Sequence, residues 1–266
     1  MGFNLANYVL SNLDRVIIGR MGREALGYYG FALYLVMFPA RTFTSIVLGV
    51  LMPALSRLQD DVSRMVSGYL RAVSGVALVT FPMLVGLAVV ADPLIPLVWR
   101  DEWLPAIPLV LLLTPVGLVN AVANTTGSIY IAKGRPDWLL WTTVCFGVLT
   151  LLGLWIGAHW GAVGLAAGYS IVTVALAYPI FAVPFRLLGL EMRRFLAAMS
   201  PYALAATVMG IGAFAFRVLL QQQHLADWIV LSGTVASGVV LYGLVISAMR
   251  PAALGDLRAV IVPQGR

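Results

Sequence analysis

The chain alternates long runs of apolar residues with short polar connections. A helix needs about 20 apolar residues to cross the hydrocarbon core of a bilayer. By that measure eight segments are long enough, covering residues 2–20, 25–56, 70–91, 104–132, 137–158, 162–186, 195–220 and 226–249. The pattern therefore predicts an all-α protein, a polytopic transmembrane helical bundle of about eight spans.

The first segment carries a stripe of polar residues. They recur at spacings of three and four, which places them on one face of a helix: Asn4, Asn7, Ser11, Asp14 and Arg15. Polar and ionisable groups at membrane depth usually face a bundle interior or a water-filled pathway. We therefore predict that this helix forms one wall of a polar cavity.

A second arginine lies inside the next segment, at Arg41. Two interpretations remain open, and they are compatible. Asp14 pairs with Arg41 across adjacent helices and neutralises both charges, or Arg15 and Arg41 attract a phosphate-bearing substrate. In the second case Asp14 balances charge or takes a proton.

Small and amide residues share one face of the fourth segment: Gly117, Asn120, Asn124, Gly127 and Ser128. Helix packing and cavity lining explain such a face equally well. The candidate substrate cavity therefore consists of the first stripe together with Arg41, Asn120 and Asn124. In the sixth segment Gly161, Gly164 and Gly168 form a small-residue seam that favours close helix packing.

The composition supports a membrane protein. Hydrophobic residues make up 61% of the 266 positions and charged residues 11%, against about 25% charged in soluble domains. The net charge of +6 comes from single basic residues between apolar runs, a distribution typical of topology-setting loops rather than of nucleic-acid binding. We predict no nucleic-acid partner.

The basic residues also predict the topology. One set of connections carries Arg57, Arg64, Arg71, Lys133, Arg135, Arg186, Arg193, Arg194, Arg250, Arg258 and Arg266. The opposite set carries Arg20, Arg23, Arg100 and Arg217. Because cytoplasmic loops are enriched in Lys and Arg, both termini are predicted to be cytoplasmic.

Motifs of soluble and membrane enzymes are absent from the sequence. It contains no GxxxxGK[ST] loop, HExxH, CxxC or GxSxG, and each of these would indicate a specific catalytic or ligand chemistry. We predict no catalytic residues, no metal site and no cofactor.

Several stretches resemble a known family: GFNLANYVLSNLDRVIIGR (2–20), ALGYYGFALYL (25–35), LMPALSRLQDD (51–61), YLRAVSGVALVTFPMLVGLAVVADPLIPLVWRDEW (69–103) and AKGRPD (132–137). They are similar to Wzx-type, colanic-acid-exporter-like polysaccharide flippases of the multidrug/oligosaccharidyl-lipid/polysaccharide exporter superfamily. The similarity is strongest in the first 140 residues and fades after about 190.

The resemblance implies a domain organisation. Such flippases have two six-helix lobes, often with two extra helices, in chains nearly twice as long. Residues 1–190 are then the second lobe, 191–250 the extra pair and 251–266 a cytoplasmic tail. The first lobe is missing, so Met1 is expected to be an internal methionine, a misplaced start or the relic of a split gene. Activity would need a separate N-terminal half or a second copy.

The resemblance also implies a function in the bacterial inner membrane. The expected activity is flipping of undecaprenyl-pyrophosphate-linked oligosaccharide repeat units for surface polysaccharide synthesis, with that substrate and membrane lipids as partners. The alternatives are export of drugs or of the peptidoglycan lipid precursor, an integral-membrane enzyme of polysaccharide assembly, or an inactive remnant.

Overall fold

The computed structural model describes residue 19 and residues 22–57, 61–223 and 225–249. In this part of the chain all regular structure is helical, which confirms the predicted all-α bundle. The helices are α1 (Arg23–Arg57), α2 (Val62–Trp99), α3 (Ile107–Ala123), α4 (Gly127–Ala132), α5 (Pro136–Gly157), α6 (Gly161–Leu188), α7 (Met192–Gln222) and α8 (Asp227–Met249). Short 3-10 helices cover Asp101–Ala106 and Ala158–Trp160.

Six helical segments of the described residues are long and apolar enough to cross a membrane. One of them, Pro136–Leu188, has 53 residues, more than twice the roughly 20 that one crossing requires. It folds back at Ala158–Trp160, so that α5 packs against α6. Seven predicted spans therefore have helical counterparts, while the first, 2–20, lies outside the described residues except for residue 19.

The α5–α6 hairpin depends on glycine. Gly161 makes its turn with a φ of +78°, a conformation that residues with a Cβ rarely adopt. A Cβ added to Gly164 would come within 2.5 Å of the carbonyl oxygen of Gly157, and one added to Gly168 within 2.5 Å of the carbonyl oxygen of Gly153. The predicted seam is thus confirmed at Gly164 and Gly168, whereas Gly161 serves the turn and has no atom within 4 Å of an added Cβ.

Two apolar clusters mark the two ends of the bundle. We call the first the basic end: α1, α6 and α8 finish there, and α2, α5 and α7 begin there. In its cluster the ring centroid of Phe185 lies 4.8 Å from that of Phe195 and 6.0 Å from that of Tyr69. At the opposite, tryptophan end, Phe31 packs at 5.0 Å from Trp99 and 4.4 Å from Trp103. Consecutive long helices therefore run in opposite directions.

The stretch predicted as a single span over 104–132 is interrupted. Between α3 and α4, Thr125 and Thr126 donate from both main-chain N–H and side-chain hydroxyl to the carbonyls of Val122 and Ala123, three residues back. This tighter 3-10 hydrogen bonding ends the α-helix. The hydroxyls of Tyr69 and Thr125 lie 3.0 Å apart, which ties the interruption to α2.

The last two helices pack on each other and on α2. The contacts of α7 and α8 with α2 are far more extensive than those of α7 with α6. The predicted division between residues 1–190 and 191–250 stays a prediction.

Candidate functional site

The predicted cavity residues fall into two groups. The stripe of the first segment lies outside the described residues: Asn4, Asn7, Ser11, Asp14 and Arg15. Arg41, Asn120 and Asn124 are described, on α1, in α3 and at the end of α3.

A hydrogen bond between α1 and α3 fixes where these three residues lie along the bundle. Thr44 on α1 donates to the main-chain carbonyl of Ala121 on α3 over 2.9 Å. Arg41 is exposed about one turn before Thr44, and Asn124 is exposed about one turn after Ala121, so the two lie on opposite sides of this bond. Asn120 is half-buried and donates to the carbonyl of Val116 within its own helix. Their role as substrate ligands stays a prediction.

The small-residue face of the fourth segment serves mainly packing at its two ends. Gly117 is buried, and a Cβ added there would lie 2.6 Å from Cγ1 of Val36. Ser128 is also buried and donates to the carbonyl of Thr125 over 2.6 Å. Because α3 ends between them, these residues do not share one continuous helix.

A groove of about 660 Å³ lies between α2, α7 and α8. Its walls are apolar side chains of residues 78–90, 209–213 and 234–243. Met83 and Val239 on its rim are 40% and 68% exposed, so the groove opens at the surface of the bundle. Beside its lining residue Gly243 the space is open, since no atom lies within 4 Å of a Cβ added there.

The two hydroxyl groups among the groove's described lining residues are already hydrogen-bonded. Thr234 donates to the carbonyl of Val230 over 2.7 Å, and Tyr242 donates to the carbonyl of Leu78 on α2 over 2.7 Å. The surface offered to a ligand is therefore apolar, as a hydrocarbon chain requires.

Near the tryptophan end a buried arginine joins α7 to α2. The Nη1 atom of Arg217 lies 2.7 Å from Oδ2 of Asp92 and donates to the carbonyl of Val89 over 2.7 Å. The side chain of Arg217 is 9% exposed and that of Asp92 48%. The guanidinium also lies over the ring of Phe214, 5.0 Å from its centroid.

The sequence does not predict this pair, and its charge pattern assigns Arg217 to a loop. The structure corrects this: Arg217 lies within α7, which continues to Gln222. An aspartate and an arginine near the ends of two predicted spans indicate that an ion pair between helices could form. A single sequence, however, does not indicate which distant residues meet. Among the described residues no group of three or more His, Cys, Asp and Glu side chains could hold a metal ion.

Comparison with known proteins identifies the relatives of the chain. Residues 1–108 match the model of a family described as polysaccharide biosynthesis protein. The chain is 32% identical over 249 residues to the teichuronic acid biosynthesis protein TuaB of Bacillus subtilis, covering 90% of this chain and 50% of TuaB. It is 29% identical over 226 residues to the lipopolysaccharide biosynthesis protein WzxC of Escherichia coli, covering 83% and 45%.

The fold also has a solved counterpart. The lipid II flippase MurJ, in an inward closed conformation, matches with a TM-score of 0.74 at 16% identity, covering 92% of this chain and 51% of MurJ. The resemblance to Wzx-type flippases and the MurJ-like fold are thus confirmed. The chain spans about half the length of the relatives it matches.

Proposed function

We propose that this chain is one lobe of a flippase that moves an undecaprenyl-pyrophosphate-linked oligosaccharide repeat unit across the bacterial inner membrane for surface polysaccharide synthesis. The names of TuaB and WzxC, both biosynthesis proteins of surface polymers, support the substrate class. The observation that carries the proposal is the apolar groove between α2, α7 and α8, which opens at the surface of a membrane bundle.

The groove suits a polyprenyl tail by length and chemistry. From Leu78 to Val90 it follows α2 for about 18 Å, at 1.5 Å per residue. A flexible hydrocarbon chain gains dispersion contacts in such a groove without leaving polar groups unpaired. The tail would then stay in an apolar environment while its headgroup crosses.

The headgroup would bind the exposed polar side chains near the hydrogen bond between α1 and α3. The guanidinium of Arg41 is exposed, and its planar fork of donors matches the oxygens of a phosphate. Asn124 offers an exposed amide about one turn from the α1–α3 hydrogen bond, and such groups can bond sugar hydroxyls. The stripe from Asn4 to Arg15 would supply the rest of this wall.

The orientation in the membrane follows from charge. At the basic end the described residues carry Arg57, Arg64, Arg71, Lys133, Arg135, Arg186, Arg193 and Arg194, while the tryptophan end carries Arg23 and Arg100. By the positive-inside bias the basic end, where α8 finishes, would lie in the cytoplasm. The N-terminus would lie on the same side, with residues 2–20 as a further span. Two lobes would face each other across the headgroup site and alternate access by rocking. The other lobe would be a separate N-terminal half or a second copy.

Complementation tests the activity. A strain lacking its polysaccharide flippase receives this chain alone, or this chain with the first half of WzxC expressed separately. Restored surface polymer with the first half, but not alone, supports the two-lobe arrangement, and restoration by the chain alone supports a second copy. No export in either case, with both halves present in the membrane, contradicts the proposal.

A groove-filling variant tests the tail site. Gly243→Leu places an isobutyl group in the groove without a clash, because no atom lies within 4 Å of the added Cβ. We expect it to reduce labelling of purified chain by a photoreactive geranylgeranyl phosphate. Gly75→Leu is the matched control, since Gly75 has equally open surroundings on α2 outside the lining of the groove. Equal labelling of both variants and wild type would contradict the tail site.

A further inference from the structure

Helix α2 contains three prolines, Pro82, Pro93 and Pro96, each of which leaves a main-chain carbonyl without its helical donor. A proline has no N–H, so the carbonyl four residues earlier loses its hydrogen bond. For Pro82 that carbonyl belongs to Leu78, for Pro93 to Val89, and for Pro96, closest to the end of the helix, to Asp92. Within a bilayer no water replaces the missing donor, so such a carbonyl away from the helix end needs one from another helix.

The carbonyls of Leu78 and Val89 each receive a side-chain donor from the hairpin formed by α7 and α8. The hydroxyl of Tyr242 on α8 donates to the Leu78 carbonyl over 2.7 Å. Nη1 of Arg217 on α7 donates to the Val89 carbonyl, also over 2.7 Å. The hairpin thus contacts α2 through two of the three carbonyls that its prolines set free.

The two bonds lie on one face of α2 and border the groove. Leu78 and Val89 are separated by about three helical turns, so their carbonyls point to the same side. Both residues line the groove, as does Tyr242, and Arg217 lies one turn beyond its lining residue Ala213. The distance between α2 and the hairpin at these two points therefore sets the width of the groove.

We propose that Tyr242 and Arg217 are positioning residues: they hold α7 and α8 against α2 at the proline-freed carbonyls of Leu78 and Val89 and so keep the groove fitted to a polyprenyl tail. This inference rests on the proposed function for the identity of the tail, but not for the positioning itself. Asp92 assists by holding the guanidinium of Arg217 through the same Nη1 atom that binds Val89.

Loss of the Tyr242 hydroxyl has a defined consequence. In Tyr242→Phe the Leu78 carbonyl has no donor while the aromatic ring remains, so α8 must move to let water or a lipid headgroup reach it. Adding Pro82→Ala restores an N–H at position 82, which can donate to Leu78 within α2. The double variant should therefore recover the wild-type position of the hairpin, which no general packing role of Tyr242 predicts.

Spin-label distances test the positioning without any ligand. In a Cys145→Ala background, labels replace Val98 on α2 and Trp228 on α8, which are 55% and 63% exposed. We expect Tyr242→Phe to shift the distance distribution to longer values and broaden it, and Tyr242→Phe/Pro82→Ala to restore it. Tyr178→Phe is the matched control, an exposed tyrosine on α6. An unchanged distribution in Tyr242→Phe, or a failure of Pro82→Ala to restore it, overturns the inference.

Labelling by photoreactive geranylgeranyl phosphate in nanodiscs links the positioning to the ligand. We expect Tyr242→Phe to reduce labelling of the groove about tenfold, the effect of one unsatisfied buried carbonyl on an equilibrium. Tyr178→Phe and Tyr242→Phe/Pro82→Ala should label as wild type does. If the wild-type groove is not labelled, the proposed binding site for the tail is contradicted. The spin-label distances then still test the positioning role of Tyr242 and Arg217 on their own. If wild type and Tyr242→Phe label equally, the tail site stands and the positioning role is overturned.

Discussion

Thr44 on α1 donates a hydrogen bond to the main-chain carbonyl of Ala121 on α3, and this carbonyl is free because α3 is about to end. In a continuous helix the N–H of Thr125 would bind Ala121, but here it donates to Val122 instead. The same rule operates at Leu78 and Val89 on α2, where prolines remove the donor. At these three sites a carbonyl that its own helix does not satisfy becomes a place where another helix attaches.

The first prediction concerns that bond. Thr44→Val keeps the shape of the side chain but leaves the buried Ala121 carbonyl without a donor, so we expect a loss of about 1 kcal/mol in the free energy of unfolding. Thr80→Val is the control, because Thr80 is equally buried but donates within its own helix to Val76. Unfolding in mixed micelles measures both variants, and equal losses would contradict a special role for Thr44.

The second prediction concerns the α5–α6 crossing. Gly164→Ala forces a methyl group to within 2.5 Å of the Gly157 carbonyl oxygen, so the helices must separate, at a cost of about 1–3 kcal/mol. Gly68→Ala on α2 meets no atom within 4 Å and should be neutral or slightly stabilising through its higher helix propensity. Thermal unfolding in detergent compares them. A stable Gly164→Ala protein would show that the crossing tolerates a wider spacing.

The third prediction concerns the headgroup. Arg41→Gln removes the exposed guanidinium on α1 that would bind the pyrophosphate. We therefore expect binding of farnesyl pyrophosphate by the chain in nanodiscs to weaken about tenfold or more. Arg23→Gln changes an exposed arginine at the first residue of the same helix, 18 positions before Arg41, and should bind as wild type does. Equal affinity of the two variants would instead favour a structural role for Arg41.

The fourth prediction concerns Asp92. Asp92→Asn leaves the guanidinium of Arg217 buried without its counter-charge, so we expect a loss of about 2 kcal/mol in the free energy of unfolding. Adding Arg217→Met and Pro93→Ala should make the protein more stable than Asp92→Asn, because the unpaired charge is removed and the restored N–H at position 93 can donate to the Val89 carbonyl. Asp227→Asn, an exposed acid in the first turn of α8, should cost no more than about 0.5 kcal/mol. If Asp92→Asn were as stable as the triple variant, the ion pair would contribute little.

The sequence was informative where a feature is local. Long apolar stretches identified the helices because only helices of that length satisfy their main chain in lipid, and glycine spacing identified the crossing of α6. The interruption at Thr125 and Thr126 was not predicted, because threonine within a helix also bonds back to a carbonyl without breaking it, as Thr80 does. The pairing of Asp92 with Arg217 was out of reach because it depends on which distant helices become neighbours.

The prolines of α2 also have a consequence for biosynthesis. The Leu78 and Val89 carbonyls obtain their partners from residues 242 and 217, more than a hundred positions later in the chain. While the ribosome is still synthesising the intervening segment, α2 is in the membrane with two incomplete main-chain bonds. Helix α2 therefore completes its hydrogen bonding only after α8 has been translated and inserted. In a nascent chain that stops before α7, the carbonyls of Leu78 and Val89 would lack these donors and α2 would be more flexible around its prolines.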